Sequence, residues 1–406
     1  MVTMNLLELY EKKTIYFFTI FIFCGIFYSC KNHETANTVS ETPKADSNSI
    51  AGDSSSNDAL FKKYNLDKIK LPAGFKINVY ASKVDKARSM CVSPNGTVFV
   101  GTKGDKVYAI TDKTHDGKST KVYEIASGLK LPNGVAFKDG NLYIGASSTI
   151  YRLDNIESNL DNPPKPVVIY NKYPSDEHHG LRFIAFGPDG KLYFPVGAPC
   201  NICDPKLPYA SITRINADGT GYEVFARGIR NTVGFDWNPK TKELWFTDNG
   251  RDNIGDDIPS DELNTAPKAG MHFGYPYCHQ GNIPDEKFGK GKNCSDYTAP
   301  AKLLGAHVAS LGMRFYTGNK FPAEYKNAIF IAEHGSWNRS TLTGYRVAVI
   351  KMDANGNAGE PEIFAEGWLQ NVRDVNGRPV DVQFLEDGSM LVSDDYNGVI
   401  YRFSYS

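Results

Sequence analysis

Residues 186–197 read FGPDGKLYFPVG, a Gly-Pro-Asp-Gly turn followed by a run of apolar and aromatic residues, Leu192 to Val196. Proline presets the φ of a turn and glycine permits its left-handed corner, so the stretch predicts a strand entered from a tight turn. The same unit returns as SPNGTVFVGTKGDKVYAI (93–110), FKDGNLYIGASSTIYRL (137–153), WNPKTKELWFTDNG (237–250), YKNAIFIAEHG (325–335) and LEDGSMLVSDDYNGVIYRF (385–403). With Pro94, Lys138, Pro188, Pro239, Tyr325 and Glu386 as markers, the intervals are 44, 50, 51, 86 and 61 residues. Periods near 40 to 50 residues with several short strands each are the signature of propeller blades. The fold expected is therefore all-β, a six-bladed β-propeller, with Leu60 to Tyr80 supplying a strand that closes the ring. Leu192–Val196 is expected as its blade's innermost strand. A long sandwich would not repeat one unit so regularly.

Composition agrees. The 406 residues include 37 Gly, 23 Tyr and 23 Phe, and no long stretch has helical periodicity. The formal net charge of -1, without a basic run, gives no footprint for nucleic acid. At the N-terminus, Lys12 and Lys13 precede the apolar run IYFFTIFIFCGIFYSC (15–30), which has the length of a signal-peptide core and is short for a membrane span. Residues 1–30 are expected to be a lipoprotein-type signal with Cys30 lipidated, residues 31–59 a polar tether, and residues 60–406 the propeller. The protein would then be exported, facing the periplasm or cell surface and touching membrane only through its N-terminus. In such an oxidising compartment Cys278 and Cys294 can bracket a loop, and Cys200 and Cys203 can close on each other. Zinc at Cys200/Cys203 is the weaker reading, because no second pair of ligands accompanies it. Haem is excluded there, since Asp204 stands where the attachment motif needs histidine. Cys91, in an apolar strand, reads as a small core residue.

Polar residues gather at corresponding places in successive blades. His178, His179 and Arg182 precede the third repeat, Arg230 and Asn231 the fourth, and Arg378 the sixth. TDNGRDNIGDDIPSDELN (247–264) and AEHGSWNRS (332–340) follow strands of the fourth and fifth. Taken singly, a histidine pair or an acidic loop is most often solvated surface, but recurrence at blade junctions points to one channel mouth. The long fourth interval adds loops there, and loops of that length are usually functional. The set offers a histidine base, fixed arginine cations for an anionic ligand, and a carboxylate- and carbonyl-rich loop suited to a hard cation such as calcium. Neither a Gly-rich dinucleotide fingerprint nor a Gly-x-Ser-x-Gly elbow is present.

In order along the chain, ARSMCVSPNGTVFVGT, GLKLPNGVAF, HHGLRFIAFGPDGKLYFPVGAPCNIC, GIRNTVGFDWNP, DNGRDNIGDDIPSDELN, GMHFGYPYC, EHGSWNRS and GRPVDV resemble the L-sorbosone and pyranose dehydrogenase branch of the PQQ-dependent sugar dehydrogenases. Soluble quinoprotein glucose dehydrogenases are more distant relatives. The resemblance runs from about Leu71 to the C-terminus. It implies pyrroloquinoline quinone (PQQ) and Ca2+ over the channel mouth, a sugar or sugar aldehyde as substrate, and a separate electron acceptor, since the chain has no haem motif. It implies that His179 is the catalytic base, with His178 as its neighbour, and that Arg230 and Asn231 lie against the quinone, Arg230 stabilising developing charge. Arg339 and Arg378 match basic positions facing cofactor carboxylates, and Arg182 joins the cofactor-binding set. Gly250 and Arg251 fall where backbone carbonyls face calcium, with Asp256, Asp257, Asp261 and Glu262 in the acidic metal loop. One departure is Val380, which stands where the glucose dehydrogenases have a second arginine. The alternatives are a calcium-dependent six-bladed lactonase of the gluconolactonase kind, or a non-catalytic glycan-binding propeller.

Overall fold

The computed structural model of the chain describes residues 49–51 and 57–406. The signal segment and most of the tether range lie outside the described residues. Six sheets are arranged as blades, and in each the chain meanders outward from an innermost strand. Blade 1 runs Ala87–Val92, Val98–Thr102, Val107–Thr111 and Lys121–Ala126, with Ser49–Ala51 paired outside it. Blade 2 comprises Gly134–Lys138, Asn141–Gly145, Ile150–Leu153 and Val167–Tyr170, and blade 3 Ala185–Phe186, Leu192–Val196, Ser211–Ile215 and Glu223–Arg227. Blade 4 is built from Phe235–Trp237, Leu244–Asp248, Ser260–Ala266 and Lys302–Ala306. Blade 5 is built from Ser310–Phe315, Ile329–Glu333, Arg346–Met352 and Ala358–Ala365.

Blade 6 closes the ring. Its strands Pro379–Phe384, Met390–Asp394 and Val399–Tyr405 are completed by Phe75–Ala81 from the start of the domain, paired antiparallel from Phe75↔Tyr405 to Ala81↔Ile400. The closing strand therefore falls within and just beyond the expected segment. One expectation is corrected: Leu192–Val196 is the second strand of blade 3, and the innermost is Ala185–Phe186. The repeated turn joins first strand to second, and periodicity alone does not say which side of a turn faces the axis.

Apolar faces of adjacent blades pack together. The richest junction, between blades 5 and 6, gathers Phe75, Tyr316, Phe321, Phe330, Phe364 and Tyr401. Phe75 meets Phe321 edge-on at 4.8 Å, a geometry worth roughly 0.5–1.5 kcal/mol beyond its buried area. Around the axis the innermost strands approach so closely that a Cβ at Gly234 would lie 2.1 Å from the Leu311 carbonyl oxygen, so only glycine fits.

Because the strands alternate direction, the segment entering each first strand and the segment leaving each second strand emerge on one face. Every candidate group named above lies on those segments, except Asp261 and Glu262, which begin the third strand of blade 4. The long fourth interval resolves into two loops, 249–259 on that face and 267–301 after the third strand. The second carries the Cys278–Cys294 disulfide and sends Met271–His272 to pair with blade 3.

Candidate functional site at the channel mouth

His179 sits in the left-handed region at φ 52, uncommon for a residue with a side chain. Its Nδ1 lies 2.8 Å from the Ala198 carbonyl oxygen. A carbonyl can only accept, so Nδ1 carries the proton and Nε2 keeps its lone pair. No group among the described residues hydrogen-bonds to Nε2. Burial, then the positive charge of Arg230, then His178 hold the imidazole well below the ordinary histidine value, so it is neutral at physiological pH. His178 is exposed and makes a ring contact, 4.1 Å between centroids, with His179. A Cβ at Gly197 would fall 2.6 Å from the His179 Cβ and 3.2 Å from Asn231 Oδ1, so this glycine lets the two approach.

Arg182 does not face the mouth. It is 1 % exposed, its Nε donates to the Ser147 carbonyl at 3.1 Å and its Nη1 to the His179 carbonyl at 2.7 Å. Its work is to hold the backbone of His179 from beneath.

Arg230 and Asn231 are oriented by Asp248, whose two carboxylate oxygens accept their backbone N–H groups at 3.0 and 2.7 Å. The buried Arg230 guanidinium donates from Nε to the Asn201 carbonyl (2.9 Å), from Nη1 to the Asn249 carbonyl (3.2 Å), and from Nη2 to both Asn201 Oδ1 and Asp252 Oδ2 (each 2.9 Å). A guanidinium has five N–H donors, so one on Nη1 is left over. Asn231 Nδ2 donates to Asn249 Oδ1 at 3.2 Å.

The acidic side chains expected around a metal are not gathered. Asp256 accepts from Ser340, Asp257 pairs with Arg339 Nη2 at 2.9 Å, and Arg339 Nη1 also donates to the Asp256 carbonyl. Arg339 is thus held by the acidic loop. The Arg251 side chain turns away to Asp285, 2.5 Å distant, which also pairs with His279 at 2.9 Å. Asp261 accepts the backbone N–H groups of Gly250 and Ser310, each at 3.0 Å. Glu262 accepts from Asn264 and faces Asp248 across the sheet, and burial raises the carboxyls of both, with the Asp248 charge a further cause for Glu262. Among the described residues no group of three His, Cys, Asp or Glu side chains could hold a metal. What fits a hard cation is the backbone: the carbonyls of Gly250 and Arg251 accept no hydrogen bond from the described residues.

Arg378 differs from the other arginines. Its Nε is buried without a partner, no carboxylate among the described residues pairs with its guanidinium, and that guanidinium lies 5.6 Å over the Tyr396 ring. Such a cation suits an anionic ligand. Tyr396 and Trp337, 57 % and 73 % exposed, stand on the neighbouring rim loops.

Sequence reasoning missed a buried network beside these groups. His334 Nε2 donates to Asp395 Oδ1 (2.9 Å), Arg88 Nη1 to Asp395 Oδ2 (3.0 Å), Arg88 Nε to Asn133 Oδ1 (3.1 Å), and Asn133 Nδ2 to the Arg182 carbonyl (2.7 Å). The signal was available: all of these residues border the same ends of the first or second strands as His179 and Arg230.

The TrAA12-like family model matches residues 69–406. The chain belongs to that family. A Borreliella burgdorferi protein without an assigned function is 35% identical over 350 residues, covering 83% of this chain and 91% of that one. The PQQ-dependent pyranose dehydrogenase of Coprinopsis cinerea is 25% identical over 296 residues, 58% of this chain and 39% of that protein. The calcium structure of a Trichoderma reesei family AA12 carbohydrate-active enzyme superposes with a TM-score of 0.73 at 19% identity, over 83% of this chain and 97% of that one. This last likeness concerns the fold. The family is the one the motifs resemble.

Proposed function

We propose that this TrAA12-like protein is a PQQ- and calcium-dependent sugar dehydrogenase in which His179 is the general base. The observation that carries the reading is the state of His179: a neutral imidazole locked through Nδ1 to Ala198, with Nε2 unengaged beside the Arg230–Asn231 pair. The activity of the Coprinopsis relative supports the choice of cofactor and substrate class.

The donor set fits an anionic quinone. Arg378 would hold a carboxylate of the cofactor, the spare Nη1 hydrogen of Arg230 and the side chain of Asn231 would meet its ring oxygens, and the carbonyls of Gly250 and Arg251 would take calcium. When bound, PQQ supplies a two-electron acceptor and calcium a Lewis acid that polarises it. His179 Nε2 removes the proton of the sugar hydroxyl, and Arg230 opposes negative charge that develops next to it. Electrons leave to a separate acceptor. The lysines, apolar run and Cys30 at the N-terminus support export as a lipoprotein. The lactonase alternative rests on a cluster of metal-binding side chains and draws no support from the described residues.

Reconstitution with PQQ and Ca2+, followed by the cofactor's absorbance and by dye reduction with aldoses and sugar aldehydes, tests the proposal. Failure to bind PQQ at micromolar concentration refutes it, and lactone hydrolysis becomes the next assay. His179→Ala should keep PQQ but lower turnover by roughly 10²–10⁴-fold, the usual contribution of a positioned base. Activity that survives there and disappears in His178→Ala would transfer the role to His178.

A further inference from the structure

The loop between Leu192–Val196 and Ser211–Ile215 carries a short covalent ring, the Cys200–Cys203 disulfide, around Asn201 and Ile202. Asn201 is engaged on every side. Its carbonyl accepts from Arg230 Nε at 2.9 Å, its Oδ1 accepts from Arg230 Nη2 at 2.9 Å and from the Asp252 N–H at 2.8 Å, and its Nδ2 donates to the Asp252 carbonyl at 3.0 Å. Asp252 in turn pairs with Arg230 and accepts from Asn338 at 2.9 Å. Two of the four hydrogen bonds that Arg230 donates to protein therefore go to Asn201, which alone among its partners adjoins a disulfide cysteine. The Tyr275 hydroxyl fastens the ring, accepting from the Cys203 N–H at 3.1 Å and lying 3.5 Å from Cys200 Sγ. Cys200 and Cys203 are only partly buried.

We propose that the Cys200–Cys203 disulfide and Asn201 form a redox-sensitive clamp that fixes the Arg230 guanidinium at the channel mouth. An asparagine on a free loop would lose side-chain and backbone entropy each time it met Arg230, and the ring removes that entropy in advance. A dithiol delivers two electrons and two protons and closes to its own disulfide, whereas a phosphine delivers two electrons and takes the oxygen of a water molecule whose two protons go to the sulfurs; either way the S–S bond opens to two thiols, leaving Asn201 on an open loop. Asn201 is a positioning residue, acting on the ligand only through Arg230. The consequence for cofactor binding rests on the function proposed above, whereas the clamp itself does not.

The decisive experiment compares the oxidised protein, the phosphine-reduced protein, Cys200→Ser/Cys203→Ser and Asn201→Ala. The first readout needs no cofactor: solvent exchange of the Arg230 Nε–H in 15N-resolved spectra, its signal assigned by loss in Arg230→Lys. Exchange should be at least ~10-fold faster in all three perturbed forms, because protection reports local opening. The second readout is PQQ titration, in which affinity should fall ~10-fold, with the melting temperature recorded alongside. Unchanged exchange in the reduced protein and in Asn201→Ala overturns the clamp, whatever happens to PQQ and even if the serine pair fails to fold. Faster exchange with unaltered PQQ affinity sustains the clamp and removes Arg230 from the cofactor site. An oxidised protein that never binds PQQ refutes the proposed function, while the exchange data still decide the clamp.

Discussion

Arg182→Met separates holding the fold from holding His179, the proposed base. Burial pulls the Arg182 guanidinium down to about 10 from an ordinary value of about 12.5. At 1.36 kcal/mol per pH unit, keeping it charged in the fold costs roughly 3 kcal/mol, and the cost is fully present at neutral pH, below both values. Against this stand its bonds to the carbonyls of Ser147 and His179. Hydrogen bonds from a charged donor contribute roughly 1.5–3 kcal/mol each, so about 3–6 kcal/mol is lost when both go. Methionine fills much of the volume without the charge, and the net destabilisation should be about 0–3 kcal/mol, a fall in melting temperature below about 10 °C. Activity should respond quite differently. The His179 carbonyl loses the anchor that stabilises its left-handed backbone, and a base displaced by about an ångström costs roughly 10²-fold. Turnover in dye-linked assay of the PQQ-loaded enzyme, with thermal unfolding measured beside it, is the test. Activity within about threefold of wild type together with a melting temperature more than 10 °C lower would make Arg182 a purely structural residue.

Two further outcomes follow from the electrostatics of the mouth. As the proposed base His179 would work unprotonated, so the rate should fall as pH drops through a value below the ordinary histidine range, and Arg230→Gln, by removing a cause of the depression, should move that acid limb to higher pH. A profile of kcat/KM against pH that stays put or moves the other way contradicts the assignment. Arg378→Gln strands no buried carboxylate, because none pairs with the arginine, so unfolding should change by less than about 1 kcal/mol while the PQQ dissociation constant rises at least ~10-fold. Equal losses of stability and affinity would mean that Arg378 serves the fold.

The blades were legible because their signal is local. A Gly-Pro-Asp-Gly turn and the strand after it need only a dozen residues to declare themselves, and their recurrence gave both the blade number and the closing strand. The position of the candidate site was legible for the same reason, since polar residues of the third to sixth repeats fell at corresponding registers. The commitments of individual side chains were not. Arg182 answers to Ser147, 35 residues away, Arg251 to Asp285, 34 away, and Arg339 to Asp257, 82 away. Nothing near any of these arginines marks its partner. In the sequence each is an unassigned cation, and only the folded ring shows that Arg378 alone of the four lacks an anion or carbonyl to neutralise it. Buried carboxylates read the same way: Asp261 resembles a metal ligand in a string of acids, yet its oxygens are consumed by backbone N–H groups of its own and the next blade.

The network from His334 to Arg182 shows what ring closure does for the backbone of His179. His334 belongs to blade 5, Asp395 to blade 6, Arg88 to blade 1, Asn133 to blade 2 and Arg182 to blade 3, so the hydrogen bonds run around the axis from blade to blade. The step from Asp395 to Arg88 joins residues 307 apart in sequence, across the junction that the Phe75–Ala81 strand secures. Each member is buried or partly so, and a break at any link leaves a polar group unpaired in a poor solvent at a cost of roughly 1–3 kcal/mol. The belt therefore favours being whole. Its last bond, from Arg182 Nη1 to the His179 carbonyl, ties the backbone of His179 to the closure of the propeller. The left-handed conformation of His179 costs about 1 kcal/mol or more for a residue with a side chain. Ala198 and Arg182 hold the residue against that cost from both sides, and the belt in turn fixes Arg182 through the bond from Asn133 to its carbonyl.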